Sequence, residues 1–129
     1  MDHTFTKAER LNSRLMIDKL FAGGNASRVA FPLRVVFMKM DAAETAKPPV
    51  SILISVSKKR FRHAVDRNRM KRLVREAYRL NKHILWDVAE DKGYRLVVAF
   101  VCITDQLPTF RSVNKSMVKA LTQISESLN

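Results

Sequence analysis

Residues 58–82 read KKRFRHAVDRNRMKRLVREAYRLNK, and this stretch carries most of the positive charge of the chain. It contains eleven lysines and arginines against two acids, a net charge of +9 out of +12 for all 129 residues. Charge of one sign concentrated in this way repels itself in the folded protein, and a bound polyanion relieves that cost. The stretch therefore predicts a polyanionic partner, and nucleic acid is the leading candidate.

The same stretch has the periodicity of an amphipathic helix that takes Asp66 as its N-cap and ends at about Asn81. At about 100° per residue, the apolar side of this helix carries Met70, Leu73, Val74, Ala77 and Leu80. The opposite half carries Asn68, Lys71, Arg72, Arg75, Arg79 and Lys82, with Arg67 and Arg69 at the boundary. Burial of the apolar side therefore turns a row of cations toward solvent. Arginine dominates the row, and its planar guanidinium can bind a phosphate through two hydrogen bonds.

Apolar segments on both sides of this helix predict strands. Residues 50–57 (VSILISVS) alternate around a row of β-branched side chains. Residues 94–103 (YRLVVAFVCI) form the most apolar run, which is typical of a strand buried on both faces. Residues 31–40 (FPLRVVFMKM) are rich in β-forming side chains, with Pro32 as a break near the start.

Further helices are predicted toward both ends of the chain. Residues 13–22 read as a short helix with Ser13 as N-cap and Gly23-Gly24 as its stop, and a short helix or turn covers residues 84–90 before a turn at 91–93. Residues 110–128 are amphipathic, with an apolar side formed by Val113, Met117, Val118, Leu121, Ile124 and Leu128. The order α-β-β-α-β-α, with an additional early strand allowed, predicts an α+β protein. We expect one domain over residues 1–129, in which helices pack on a small mixed sheet.

Composition excludes membrane and secreted classes of protein. No run approaches the ~18 apolar residues that span a bilayer, and residues 1–12 lack a signal-peptide core. The apolar side of the basic helix lacks the aromatic bias of membrane-surface helices, so we expect no membrane partner. The single cysteine, Cys102, lies in an apolar run and is expected to be buried in a reduced, cytoplasmic protein.

The sequence also lacks the residue patterns of a protein nuclease. Its nearest group of carboxylates, Asp87, Glu90 and Asp91, is expected to be solvated, and the three histidines lack zinc-binding spacing. Neither a glycine-rich phosphate loop nor a nucleophile elbow occurs. We therefore expect no catalytic residue and no metal site in the protein itself.

The residues alone leave more than one kind of nucleic-acid-binding protein open. Recognition helices of DNA-binding regulators usually mix Gln, Asn, Ser and Arg and follow another helix across a tight turn. Here a strand precedes a helix whose outer side is almost purely cationic, which is typical of contact with the backbone of structured RNA. A structural RNA binder of the ribosomal type shares this composition and stays open beside an RNA-processing role.

Two motifs in combination resemble the bacterial ribonuclease P protein family. The first is Ser55-Val56-Ser57-Lys58-Lys59 at the end of a strand. The second is Ala64-Val65-Asp66-Arg67-Asn68-Arg69-Met70-Lys71-Arg72-Leu73-Val74-Arg75-Glu76. Supporting matches at Lys19-Leu20-Phe21, at the apolar strand after the basic helix and at the C-terminal helix extend the resemblance over nearly the whole chain.

The resemblance implies an α/β sandwich with a left-handed β-α-β crossover that contains the basic helix, against the usual right-handed rule. It also implies a catalytic RNA that uses RNA-bound Mg²⁺ to hydrolyse precursor tRNA and free the mature 5′ end. The protein alone is then non-catalytic, its partners are the catalytic RNA and precursor tRNA, and no obligate protein partner is expected. The implied contacts to the catalytic RNA are Arg67, Asn68, Arg69, Lys71, Arg72 and Arg75 on the helix and Lys58, Lys59, Arg60 and Arg62 beside it.

The family resemblance further implies a cleft for the 5′ leader, formed by the first helix and first strands and usually aromatic. Phe21 matches one such position, whereas Ile17 stands four residues earlier, where relatives often have Phe. A frequent strand aromatic is either replaced by Arg34 or displaced to Phe31 or Phe37. Each stacked base contributes about 1–3 kcal/mol, and Arg34 could substitute through a cation–π or phosphate contact. The alternative for Phe21 and Phe31 is a plain core position.

Overall fold

The computed structural model describes residues 14–22, 26–41 and 49–128. Its elements in chain order are α1 (Arg14–Phe21), β1 (Ala26–Ala30), β2 (Leu33–Asp41), β3 (Val50–Ser55), α2 (Ala64–Asn81), α3 (His83–Lys92), β4 (Tyr94–Cys102) and α4 (Phe110–Leu128). The strands form one sheet in the order β1-β2-β4-β3. β2 is antiparallel to both of its neighbours, whereas β3 and β4 are parallel. The expected α+β class with a small mixed sheet is confirmed.

The parallel pair β3 and β4 is joined through α2 and α3, so the basic helix lies in a β-α-β unit as the resemblance implies. The left-handedness of this crossover stays a prediction. The proposed N-cap Ser13 and the Gly23-Gly24 stop of the first helix lie outside the described residues, although α1 itself has nearly the predicted extent.

β4 lies in the interior of the sheet and is buried on both faces, as predicted. On one face the side chains of β2, β3 and β4 meet α2, α3 and α4 in the main core, which contains Val35, Ile52, Val98 and Phe100. On the other face Leu20 of α1 packs against Val97 and Ala99, with Ile17, Val36, Met38 and Leu53 around them. Alternate residues of β2, β3 and β4 thus contribute to two cores of unequal size, and the smaller one is formed with the short helix α1.

The strand β1 has no counterpart among the firmly predicted elements. Its sequence ASRVA is short, and only Ala30 is buried, so it carries little apolar signal. The predicted strand at residues 31–40 begins later, at Leu33, because Phe31 and Pro32 form the turn of the β1–β2 hairpin around a cis peptide bond. The Ser116 hydroxyl donates to the Ala30 carbonyl and ties this hairpin to α4.

Two helices differ from prediction at particular residues. α3 includes Asp91 and Lys92, which were predicted as part of a turn, and Gly93 ends it at φ 72°, donating its N–H to the Ala89 carbonyl at 3.0 Å. α4 has the predicted bounds, but Val118 is 38% exposed and its assignment to the apolar side is wrong. It follows the buried Met117 by one residue, about 100° around the helix.

Cys102 is 4% exposed, which confirms that it is buried, and burial raises the pKa of its thiol. Within the described ranges no helix is both long and apolar enough to cross a bilayer.

Candidate nucleic-acid interface

The basic helix α2 begins three residues earlier than predicted, at Ala64. The backbone N–H groups of Asp66 and Arg67 both donate to the carbonyl of His63 at 3.1 Å, and His63, in an extended conformation, is the residue that precedes the helix. The predicted N-cap role of Asp66 is therefore wrong. Its carboxylate lies instead in the first turn, where it interacts favourably with the partial positive charge of the helix N-terminus.

The buried side of α2 is rotated slightly from the predicted apolar side. Met70, Val74 and Ala77 are fully buried as predicted. Tyr78 is also fully buried, and its hydroxyl accepts a hydrogen bond from Trp86 Nε1 at 3.0 Å, whereas Leu80 is 38% exposed. Tyr78 and Leu80 lie on opposite edges of the apolar side, so a rotation of roughly 20–30° exchanges one for the other.

The predicted catalytic-RNA contacts divide into two groups by exposure. The exposed group consists of Lys58, Lys59, Arg60, Arg62, Asn68, Arg69 and Arg72. The half-buried group consists of Arg67, Lys71 and Arg75. Arg69 and Arg72 make no hydrogen bond or ion pair with other described residues, so their guanidinium groups face solvent as predicted. Their contact with RNA stays a prediction.

Arg67 connects the helix to the basic loop in front of it. Its Nη1 donates to the carbonyls of Phe61 and Arg62, at 2.9 and 3.0 Å. Phe61 is 6% exposed and belongs to the main core, so this bond is anchored at a rigid point. One nitrogen of Arg67 therefore ties Phe61 and Arg62, at the end of the basic loop, to the first turns of α2.

Lys82 does not face solvent as the helical projection predicts. It is 2% exposed, and its ammonium lies 4.6 Å from the centroid of the Trp86 ring, within cation–π distance. The projection fails here because Lys82 lies between the end of α2 at Asn81 and the start of α3 at His83. The cationic row on α2 thus ends before this residue.

Arg79, at the same end of the row, is paired within the helix. Its Nη2 and Nε donate to the two carboxylate oxygens of Glu76 at 2.6 and 3.0 Å. This hydrogen bonding lowers the pKa of Glu76 and raises that of Arg79. The guanidinium groups of Arg69 and Arg72 are therefore more available to a ligand than that of Arg79.

The predicted leader-binding residues occupy or border the second face of the sheet. Phe21 is 47% exposed and Phe31 is 69% exposed, so the alternative that they are plain core residues is wrong. Ile17 is half-buried against the small cluster around Leu20. Phe37 is 5% exposed and belongs to the main core, on the opposite face, so it does not supply the displaced aromatic ring.

Arg34 lies beside a cavity of about 530 Å³ at one end of this second face. The cavity is lined by Arg34, Ser55, Ser57, Lys59, Arg60, Val101, Cys102, Ile103 and Asp105. The Nε of Arg34 donates to Ser27 Oγ of the neighbouring strand at 3.0 Å, which orients the guanidinium. Phe21 and Phe31 are not part of this lining.

The cavity joins residues for which the family resemblance implies different ligands. Arg34 was predicted for the leader, whereas Lys59 and Arg60 were predicted for the catalytic RNA. Ser55 and Ser57 belong to the strand-end motif, but nothing in that motif marks their hydroxyls as part of a site. Asp105 gives no signal in the sequence. Three cations and two hydroxyls against one carboxylate make a lining that suits an anion such as phosphate.

The described part of the chain holds no group of three or more His, Cys, Asp or Glu side chains arranged to bind a metal ion. Asp87, Glu90 and Asp91, the nearest group of carboxylates in the sequence, lie on α3 as exposed side chains, with the latter two in its last turn.

Comparison with known proteins shows the family of this chain. The family model for ribonuclease P matches residues 5–125. The ribonuclease P protein component of Porphyromonas gingivalis is 48% identical over 120 residues, which cover 93% of this chain and 85% of that protein. The corresponding proteins of Chlorobaculum tepidum and Chlorobium phaeobacteroides are 34% and 30% identical, covering 89% and 95% of this chain and 80% and 88% of their own lengths. The chain therefore belongs to the ribonuclease P protein family.

Proposed function

We propose that this chain is the protein subunit of a ribonuclease P holoenzyme that removes the 5′ leader of precursor tRNA in the cytoplasm. The observation that carries the proposal is the exposed cationic side of α2. The buried Met70, Val74 and Ala77 hold the helix on the sheet and leave Arg69 and Arg72 directed to solvent. The names of the relatives from Porphyromonas gingivalis and Chlorobaculum tepidum support the same role.

The cationic side of α2 and the loop before it are proposed to bind the catalytic RNA. Folded RNA brings phosphates close together, and exposed arginines reduce the repulsion between them and release condensed counterions. A helix fixed by a buried apolar side keeps these charges at constant spacing, so binding requires little reorganisation. Such contacts sense the shape of the RNA backbone more than its sequence.

The second face of the sheet is proposed to hold the single-stranded leader. Exposed Phe21 and Phe31 can stack on bases, and the cavity beside Arg34 can take a backbone phosphate. Lys59 and Arg60 line this cavity and also belong to the basic loop, so the leader and the catalytic RNA would meet adjoining parts of one basic surface.

Mg²⁺ is proposed to be held by the RNA, and hydrolysis to be the work of the RNA. At the cavity, Asp105 is the one carboxylate beside Arg34, Lys59 and Arg60, a donor set that disfavours a divalent cation. The side chains that line this cavity thus fit phosphate binding and not metal binding. Their contribution is to position substrate and to lower the Mg²⁺ concentration that the RNA needs.

Reconstitution tests the proposed function. The purified chain, added to a bacterial ribonuclease P RNA, is expected to permit cleavage of precursor tRNA at Mg²⁺ concentrations where the RNA alone is inactive. The double variant Arg69→Ala/Arg72→Ala should lose most of this effect, whereas Lys115→Ala/Lys119→Ala, which removes equal charge from exposed positions of α4, should keep it. No gain in cleavage at low Mg²⁺ contradicts the proposal. Co-sedimentation with ribosomal subunits in place of this RNA would favour the structural RNA binder.

A further inference from the structure

A second groove, of about 330 Å³, lies where the cationic side of α2 meets the start of α4. It is lined by Arg69, Arg72, Leu73, Glu76 and Phe110. The two helices pack side by side and are joined by a hydrogen bond of 2.7 Å from Asn81 Nδ2 to Asn114 Oδ1. The groove therefore has walls that belong to two packed helices.

The floor of this groove is apolar although the surface around it is charged. Leu73 and Phe110 are half-buried and pack against the main core, which fixes their positions while part of each side chain stays accessible. A surface that binds only phosphates does not require accessible leucine and phenylalanine side chains beside its arginines. A flat aromatic ligand that carries negative charge at its edge matches both properties.

The charges around the groove are arranged unevenly. Arg69 and Arg72 are exposed on one side, and α4 begins at Phe110, so the partial positive charge of its N-terminus adds to theirs. Glu76 lies in the lining as well, oriented by its two hydrogen bonds from Arg79. Its lowered pKa keeps the carboxylate ionised at neutral pH, so it is a hydrogen-bond acceptor only.

We propose that this groove binds one unstacked nucleobase of the catalytic RNA, with the base on the Phe110 ring and its flanking phosphates on Arg69 and Arg72. RNA-binding proteins commonly read bases that are splayed out of loops and bulges in this way. The carboxylate of Glu76 favours a base with an exocyclic amino group, namely adenine, cytosine or guanine, over uracil. This inference rests on the proposed function, since it names a contact within the same complex.

The test separates the aromatic ring from the charges. Phe110→Leu keeps an apolar side chain in the floor but removes the stacking surface, so affinity for the catalytic RNA should fall about 5- to 100-fold. The slope of log affinity against log salt should stay unchanged, because no phosphate contact is lost, whereas Arg69→Ala should flatten it by about 0.7–0.9. Phe110→Tyr retains the ring and should bind nearly as the wild type. Val118→Ala, at an exposed position of α4 outside the groove lining, is the matched control and should have no effect.

Chemical probing of base edges in the RNA gives a second readout. One adenine, cytosine or guanine should be protected by the wild type and by Phe110→Tyr and become reactive again with Phe110→Leu. If Phe110→Leu binds and protects like the wild type while Arg69→Ala binds weakly, the base-binding groove is wrong and the proposed function stands. Equal losses in Phe110→Leu and Phe110→Tyr, accompanied by lower melting temperatures, would assign Phe110 to packing and overturn the inference. If none of these variants affects RNA binding, the proposed function fails as well.

Discussion

Arg67 donates a hydrogen bond from Nη1 to the carbonyl oxygen of Phe61 at 2.9 Å, across the junction between the basic loop and the basic helix. Phe61 is held in the main core, and its own N–H donates to the Ser57 carbonyl at 3.2 Å. The bond therefore couples the loop, the helix and the end of the strand before them. Arg67, which is predicted to contact RNA, therefore also holds the end of the basic loop against α2.

Arg67→Ala should loosen the basic loop. Loss of the two hydrogen bonds from Nη1 is expected to cost about 1–2 kcal/mol of unfolding free energy and to speed amide hydrogen exchange at Arg60 and Phe61. Arg67→Lys retains the charge but not the fork geometry, so it should show much of the same loop exchange. Arg69→Ala is the control, because no hydrogen bond or ion pair joins Arg69 to the described residues of the loop. Equal exchange rates in all three variants would contradict this positioning role.

Arg69→Ala and Arg72→Ala should weaken binding to the catalytic RNA with little effect on stability. Both side chains are exposed and without described partners, so the melting temperature should stay near that of the wild type. Each lost phosphate contact should flatten the log–log salt dependence by something under one unit. Titrations at several salt concentrations measure this slope. A sharp fall in melting temperature with unchanged RNA affinity would show that the outward side of α2 is assigned incorrectly.

Met70→Ala should lower stability and have little effect on binding to the catalytic RNA. Met70 is fully buried in the main core, so its truncation is expected to cost about 2–5 kcal/mol of unfolding free energy. Leu73→Ala should cost less than that, because Leu73 is only half-buried and its truncated site opens to the groove. Denaturant titration measures both values. An equal or larger cost for Leu73→Ala would indicate that this residue is more deeply packed than its exposure suggests.

Periodicity predicts α2 and α4 well because each helix buries one side against the same sheet. It fails for residues that lie at the edge of the buried side or beyond the end of the helix. Tyr78 and Leu80 are equivalent in a projection, and the contacts that Tyr78 makes with the Phe100 ring and with Trp86 Nε1 are tertiary ones that the projection does not contain. Lys82 has the sequence signature of a surface cation, and its burial follows from the turn between two helices, which no periodicity encodes.

The charge of residues 58–82 is evident in the sequence, but the shape of the surface it forms is not. Arg34, Lys59 and Asp105 lie in three separate segments, and they meet because Arg34 is paired in register with Val101 near the end of β4. The groove at Phe110 likewise depends on how α4 packs on α2. Sequence reasoning can name cationic segments, whereas the cavities between them arise from strand register and helix packing.

The Glu76–Arg79 pair should contribute a small, pH-dependent stability. Hydrogen bonding to Arg79 lowers the pKa of Glu76 in the folded protein, so the contribution is present above the unfolded pKa and is lost as pH falls through the folded pKa. The melting temperature of Glu76→Gln should therefore lie slightly below that of the wild type at neutral pH. The two should converge in acid, once the pH falls below the lowered pKa of Glu76. The difference is small because the pair is exposed to solvent. A difference that grows on acidification would contradict this origin.

Arg34→Ala should weaken binding of precursor tRNA to the holoenzyme and leave mature tRNA unaffected, because only the precursor carries a leader. Loss of one charge-assisted contact to phosphate is expected to reduce affinity about tenfold. Arg34→Lys retains the charge but loses the hydrogen bond from Nε to Ser27 Oγ that orients the group, so an intermediate loss is expected. Arg28→Ala is the matched control. This variant removes the same charge from the opposite face of the hairpin, where Arg28 lies over the Phe37 ring. The measurement is the affinity of the holoenzyme for precursor and mature tRNA. An equal loss of affinity for both would place Arg34 outside the leader path.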